Sequence, residues 1–195
     1  MSKGKHYGPR YHKGVRPSFA AAIGARRMEA ENKAAEEMAQ ATTWLVIVSL
    51  NEAAGIGARR LDKFAGTFSE VCGEYSGLKN VLGIAKAETV LADRTADLFG
   101  APVPKLHRYH ASHERAAAIR AAEERAATTS LRLIAYALHK AYGFGPDRID
   151  RIMQATAENL TDWNKRLMDD EYFGYETLRR RVEQILRVAV QLKEE

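Results

Sequence analysis

Leu50-Asn51-Glu52-Ala53-Ala54-Gly55-Ile56-Gly57-Ala58-Arg59-Arg60-Leu61-Asp62 and Leu138-His139-Lys140-Ala141-Tyr142-Gly143-Phe144-Gly145-Pro146-Asp147-Arg148-Ile149-Asp150 are two versions of one phrase, set 88 residues apart. Each carries a Gly-apolar-Gly pair, and each pair is followed three residues later by an arginine. Glycine costs roughly 1 kcal/mol inside a helix but readily supplies the left-handed residue that ends one, so a helix stops at each pair. In the second version Pro146 and Asp147 then open a new helix: proline is preorganised for the first helical position and aspartate suits the positive helix end.

The same shift aligns the surrounding chain. Glu70 falls on Glu158, Tyr75 on Trp163, Ala87-Glu88-Thr89-Val90 on Tyr175-Glu176-Thr177-Leu178, and Leu98 on Leu186; with a one-residue slip, Lys33 to Glu37 also matches Arg120 to Glu124. The expectation is an all-α protein, a tandem duplication of a three-helix unit packed as a pseudo-two-fold helical bundle. Its parts are a basic disordered arm at 1–25, helical repeats at 26–99 and 106–195, and a linker at 100–105 marked by Gly100, Pro102 and Pro104.

Periodicity fills in the elements. Leu131, Ile134, Ala135, Leu138 and Tyr142 follow steps of three and four, a helix with one buried face. This decides the first copy, where Val46-Ile47-Val48 alone would read as a strand: its counterpart is helical, so both are. The second helices bury Ile149, Ile152, Met153, Leu160 and Trp163, matched by Leu61, Phe64, Ala65, Cys72 and Tyr75. The third helices run from about Tyr175, with Leu178, Val182, Ile185, Ala189 and Leu192 inward, and from about Ala85 to Phe99, with Arg94 in place of Val182. The alternating Arg, Glu and Ala of 108–125 read as a solvated helix face, and the alanine-rich leading helices as able to pack closely together.

Composition narrows the function. The chain has 195 residues, 46% of them hydrophobic, enough to bury a core. Its longest apolar run, Trp44 to Val48, falls far short of the roughly 20 residues that cross a bilayer, and the N-terminus lacks a signal-peptide core, so a cytoplasmic protein without a membrane partner is expected. Cys72, the single cysteine, excludes an internal disulfide and a multi-cysteine zinc site and reads as a buried thiol. No Gly-Lys-Ser loop, Ser-His-Asp set or dinucleotide fingerprint is present, so neither catalytic residues nor a cofactor are assigned. His107, His110 and His113 have the only metal-like spacing, and they read as the solvated start of a long helix rather than as ligands.

Charge is concentrated. Residues 1–27 hold seven Lys or Arg and no acidic residue, which leaves 23 basic against 25 acidic residues for the rest of the net +5 chain. In the arm, Lys3, Lys5, Arg10, Lys13 and Arg16 lie among Tyr7, Tyr11, His6 and His12, a mixture suited to phosphates and exposed bases, or to a solubilising tail. The two turns are the second candidate. Gly55, Gly57, Gly143 and Gly145 let a ligand approach the backbone, and the next helix's amides bind anions. Arg60 and Arg148 sit against the helix dipole, so each needs a negative partner, either a nucleic-acid backbone or a carboxylate such as Asp62, Asp150 or Glu52.

These turns resemble the helix-hairpin-helix DNA-binding motif over about a dozen residues per copy, with two departures: Leu61 and Ile149 replace a small residue, and a long helix precedes each turn. The second copy more closely resembles a group of small proteins of Firmicutes prophages and mobile elements. The resemblance rests on Leu138-His139, the aromatic Tyr142, Gly143-Phe144-Gly145, Arg148 and Ile149, followed by the acidic-aromatic Asp169-Asp170-Glu171-Tyr172-Phe173, and spans roughly residues 133–190. It implies a viral or mobile-element context and no particular activity. The leading expectation is therefore a non-enzymatic interaction protein acting on a host or viral protein or nucleoprotein complex, with nucleic-acid binding through the arm and the turns as the second reading and the oligomeric state left open.

Overall fold

The computed structural model describes the backbone of residues 19–108 and 116–187, with side chains from residue 27 onward. The protein is all-helical: α1 (Phe19–Ala54), α2 (Ala58–Leu82), α3 (Ile84–Arg94), a single 3-10 turn (Ala96–Leu98), α4 (Ala116–Tyr142), α5 (Pro146–Asp169) and α6 (Glu171–Leu186). Val46 to Val48 lie within α1, as expected. Among the described residues no helix is long and apolar enough to cross a membrane. Helix α1 begins at Phe19, inside the stretch expected to be arm, and Lys3, Lys5, Arg10, Lys13 and Arg16 lie outside the described residues.

The leading helices α1 and α4 pack most extensively against each other, and the alanines Ala34, Ala41, Ala127, Ala135 and Ala137 are buried, which allows close approach. Within each half the second helix packs on the third, α2 on α3 and α5 on α6, and the leading helices are covered from across the molecule. Helix α1 receives α5 and α6, whereas α4 receives α2 and α3, so each leading helix is covered by the other half's helices. One contiguous apolar cluster results, running from Met38 through Leu45, Leu50 and Phe64 to Leu138, Ile152 and Trp163. The ends of α1 and α4 (54 and 142) and the starts of α2 and α5 (58 and 146) are each 88 positions apart.

Helix α5 buries Ile149, Ile152, Met153, Leu160 and Trp163 as its periodicity predicts. Helix α2 buries a narrower stripe of Leu61, Phe64, Val71 and Tyr75: Ala65 is exposed and Cys72 half-buried, correcting the expectation for both. Leu178 and Val182 of α6 are buried and Ile185 half-buried, while Ala189 and Leu192 lie outside the described residues. Helix α3 stops at Arg94, short of the expected Phe99, because the Thr95 hydroxyl and amide both turn back onto the Leu91 carbonyl, the hydroxyl at 2.8 Å. The acidic-aromatic run is the start of α6, where Asp170 Oδ1 accepts the Phe173 amide at 3.0 Å as an N-cap.

The largest departure is at 100–108. A short linker followed by a solvated helix was expected, but residues 102–108 are not helical. Leu106 is buried in the core, and so is Arg108. Arg108 Nε donates to Oε1 of fully buried Glu123 at 2.8 Å, its Nη1 reaches the Glu37 carboxylate at 2.7 Å, and Nη1 also donates to the Tyr175 hydroxyl at 2.5 Å. This segment is a strap, pinned to α4, α1 and α6 by one arginine and to α5 by Asn164, which donates to the His107 carbonyl at 3.2 Å. Burying Glu123 and Arg108 separately would be costly, and their pairing offsets that cost.

Candidate functional site

Both glycine turns share one local design. Gly55 and Gly143 have φ of 61° and 65°, the left-handed conformation that ends α1 and α4, and their amides bond back to the carbonyls of Asn51 and His139. The intervening apolar residue, Ile56 or Phe144, is a buried plug. The plug's carbonyl is held from behind: Asn51 Nδ2 donates to Ile56 O at 3.3 Å, and His139 Nδ1 lies 3.0 Å from Phe144 O, carrying its proton there. His139 thus latches the second turn.

Gly57 and Gly145 are different. They cap α2 and α5 in an extended conformation (φ −92° and −91°) with no side-chain cap, and a Cβ at either would meet nothing within 4 Å. In α2 the amides of Arg60 and Leu61 turn back to the Gly57 carbonyl, leaving those of Ala58 and Arg59 open at the helix end. Pro146 replaces Ala58 in the second turn and removes one of these donors.

The arginines diverge further. Arg148 lies over the Phe144 ring, 5.3 Å from its centroid, a cation-π contact that occupies it. Two of the three carboxylates expected to hold Arg60 and Arg148 are engaged elsewhere, Asp150 accepting the Gly100 amide at 3.0 Å and Glu52 pairing with Arg181 while accepting Asn159 Nδ2 at 3.1 Å, and Asp62 makes no ion pair with either arginine. Among the described residues no carboxylate lies within ion-pair distance of Arg60.

Instead, Arg60 joins a well of about 620 Å³ between the start of α2 and the end of α6, lined by Gly57, Arg59, Arg60, Arg181, Gln184 and Arg187 among others, with no acidic lining residue. Only Arg181 has an ion-pair partner among the described residues, so the other three arginines of the lining, Arg59, Arg60 and Arg187, have none. Arg187 adds an independent sign. It is the only described residue other than glycine with positive φ, 58°, at the left-handed end of α6 where glycine is usual. That conformation costs an L-residue about 1–2 kcal/mol, and here it presents an arginine to the well. The start of α2 is fixed from the opposite half: the Tyr142 hydroxyl donates to the Arg60 carbonyl, and Lys63 lies 5.5 Å from the Tyr142 ring centroid.

The structure thus brings Gly57 and Arg60 into a cationic well but does not bring Gly143, Gly145 or Arg148 to it. Sequence reasoning missed Arg59, Arg181 and Arg187, although the Arg179-Arg180-Arg181 run followed by Arg187 was a visible signal. Of the three histidines, His107 lies in the non-helical strap with Nδ1 3.4 Å from Glu124, while His110 and His113 lie outside the described residues. Among the described residues no group of three or more His, Cys, Asp or Glu could hold a metal ion. No protein-family model, curated protein or solved structure matches the chain.

Proposed function

We propose that this protein is a non-enzymatic phage or mobile-element factor that binds nucleic acid, free or in a nucleoprotein complex, by gripping its phosphate backbone in the arginine well. The observation that carries this reading is that Arg59, Arg60 and Arg187 line one well that has no acidic lining residue, on a chain whose residues after 27 are slightly acidic overall. A generally basic surface gathers cations everywhere; this one concentrates them at a point. Guanidinium groups stay protonated at all working pH values and fit phosphate in a planar fork, so the site binds anions without exchanging protons. The basic residues of the arm add a second, less directional attraction. The phage or mobile-element context rests on the resemblance over residues 133–190.

The test is oligonucleotide binding across a salt series. Removing one phosphate-binding cation lowers the slope of log K against log salt by about 1. Arg59→Ala with Arg60→Ala and Arg187→Ala is expected to lower the slope by about two to three and to weaken binding strongly, while Arg148→Ala leaves both unchanged. Unaltered binding by the triple variant contradicts the reading.

A protein partner is a second reading, favoured by apolar side chains at two helix corners: Val81 and Ile84 between α2 and α3, and Met168, Tyr172 and Phe173 between α5 and α6. A nuclease-treated lysate that still yields a stoichiometric protein partner, no longer captured by Ile84→Asp or Tyr172→Asp, supports it.

A further inference from the structure

The arginine well does not end at Arg181. That residue and Gln184 also line a second cleft, of about 550 Å³, on the other side of α6 against α1 and α5. Helix α6 divides the two spaces, and the divide is held firmly because Glu52 pairs with Arg181 while Asn159 donates to Glu52. The second cleft has a different chemistry. Leu45, Val48, Trp163 and Leu178, all nearly fully buried, show only their edges in its wall; Asp162, already paired with Lys165 at 2.9 Å, and Arg180 add charged groups, and Phe173 stands at its rim with 57% of its surface exposed. The Asn159 amide nitrogen is already spent on Ser49 and Glu52, so its oxygen remains available to accept. Arg166, also in this lining, has no ion-pair partner among the described residues.

An exposed aromatic ring beside polar groups that can meet a base edge suits an unstacked base, and the volume falls in the ordinary range of small-ligand sites. Phe173 in the first turn of α6 and Arg187 at its end are 14 residues apart, about 21 Å along the helix, a span that a few nucleotides of one strand cover. Resting on the phosphate-binding reading above, we infer that the groove takes single-stranded nucleic acid, with a phosphate held by Arg59, Arg60 and Arg187 and an unpaired base a few nucleotides further along the same strand seated in the cleft against Phe173. A duplex fills only the first space, because its bases are stacked inside.

The experiment measures binding of a labelled single strand of about 20 nucleotides, longer than a typical single-strand site, and of the matching duplex to the full chain, to Phe173→Ala, and to the triple arginine variant. Phe173 is exposed, so its truncation leaves the fold intact, which the thermal transition verifies. Phe173→Ala is expected to weaken the single strand about tenfold, in line with the removal of one stacking ring, and to leave the duplex unchanged. Equal retention of both ligands by Phe173→Ala overturns the base cleft while leaving the phosphate reading intact. Normal binding of both by the arginine variant overturns the phosphate reading and this inference with it. Displacement of the strand by polyglutamate of equal charge, as effective as by unlabelled strand, also overturns base recognition and makes an acidic protein segment the occupant.

Discussion

Gly55 and Gly57 stand two residues apart and are glycine for different reasons. Gly55 holds a left-handed φ of 61°, so Gly55→Ala is expected to lower stability by about 1 kcal/mol, measured by urea unfolding. Gly57 has φ of −92° and open space above it, so the backbone does not require glycine there. What glycine does is leave the first amides of α2 uncovered. Gly57→Ser supplies the missing cap and is expected to raise stability by a few tenths of a kcal/mol while weakening oligonucleotide binding. The same unfolding and binding measurements check it; a fall in stability together with unchanged affinity contradicts this role for the position. The paired glycines and their arginines were legible in sequence because each signal is local. That Arg60 faces a well while Arg148 covers its own Phe144 was not, since the difference depends on α6, more than a hundred residues downstream of Arg60.

Among the elements, the strap at 100–108 was the least legible. Arg108 begins a run of Arg, Glu and Ala, and such a run ordinarily marks a solvated helix. Nothing local distinguishes Glu123, which is fully buried, from Glu124, which is not. The burial is imposed by tertiary structure, where α1, α4 and α6 close around one guanidinium. Arg108→Ala leaves the Glu123 carboxylate buried without its main partner and is expected to cost about 3–5 kcal/mol, read as a lower denaturation midpoint. A change under about 1 kcal/mol, the scale of an exposed pair, shows that the strap detaches without consequence. The five apolar residues expected inward on α5 are all buried, while buried Thr156 was missed because its hydroxyl, satisfied by the Ile152 carbonyl at 2.7 Å, reads as polar in sequence; α2 was read less well, because its stripe was inferred from its counterpart and Ala65 was carried along.

At the scale of the whole molecule, each leading helix is covered by the helices of the opposite half, which no pattern within one half reveals. The Arg108 junction draws on both halves at once, and its pH response reports their union. Burial pushes the Tyr175 phenol up to about 12, against the nearby Arg108 cation, which favours ionisation. The unfolded chain gives up that proton near pH 10 and the native chain later, so this stabilisation is full below pH 10 and is lost as pH rises to about 12. Tyr175→Phe is expected to make the decline in stability over that window shallower, followed by denaturant unfolding at a series of pH values. An identical decline in both proteins contradicts the buried position of Tyr175.

Whether the cations of the body act together at the start of α2 and the end of α6 is tested most directly by amide chemical shifts of the full chain, recorded as a short oligonucleotide is titrated in. The largest and saturable changes are predicted at Gly57, Ala58, Arg59 and the residues around Arg187, with Gly145 and Asp147 nearly still. Changes confined to residues 1–18, with the well silent, would contradict a shared phosphate site on the body.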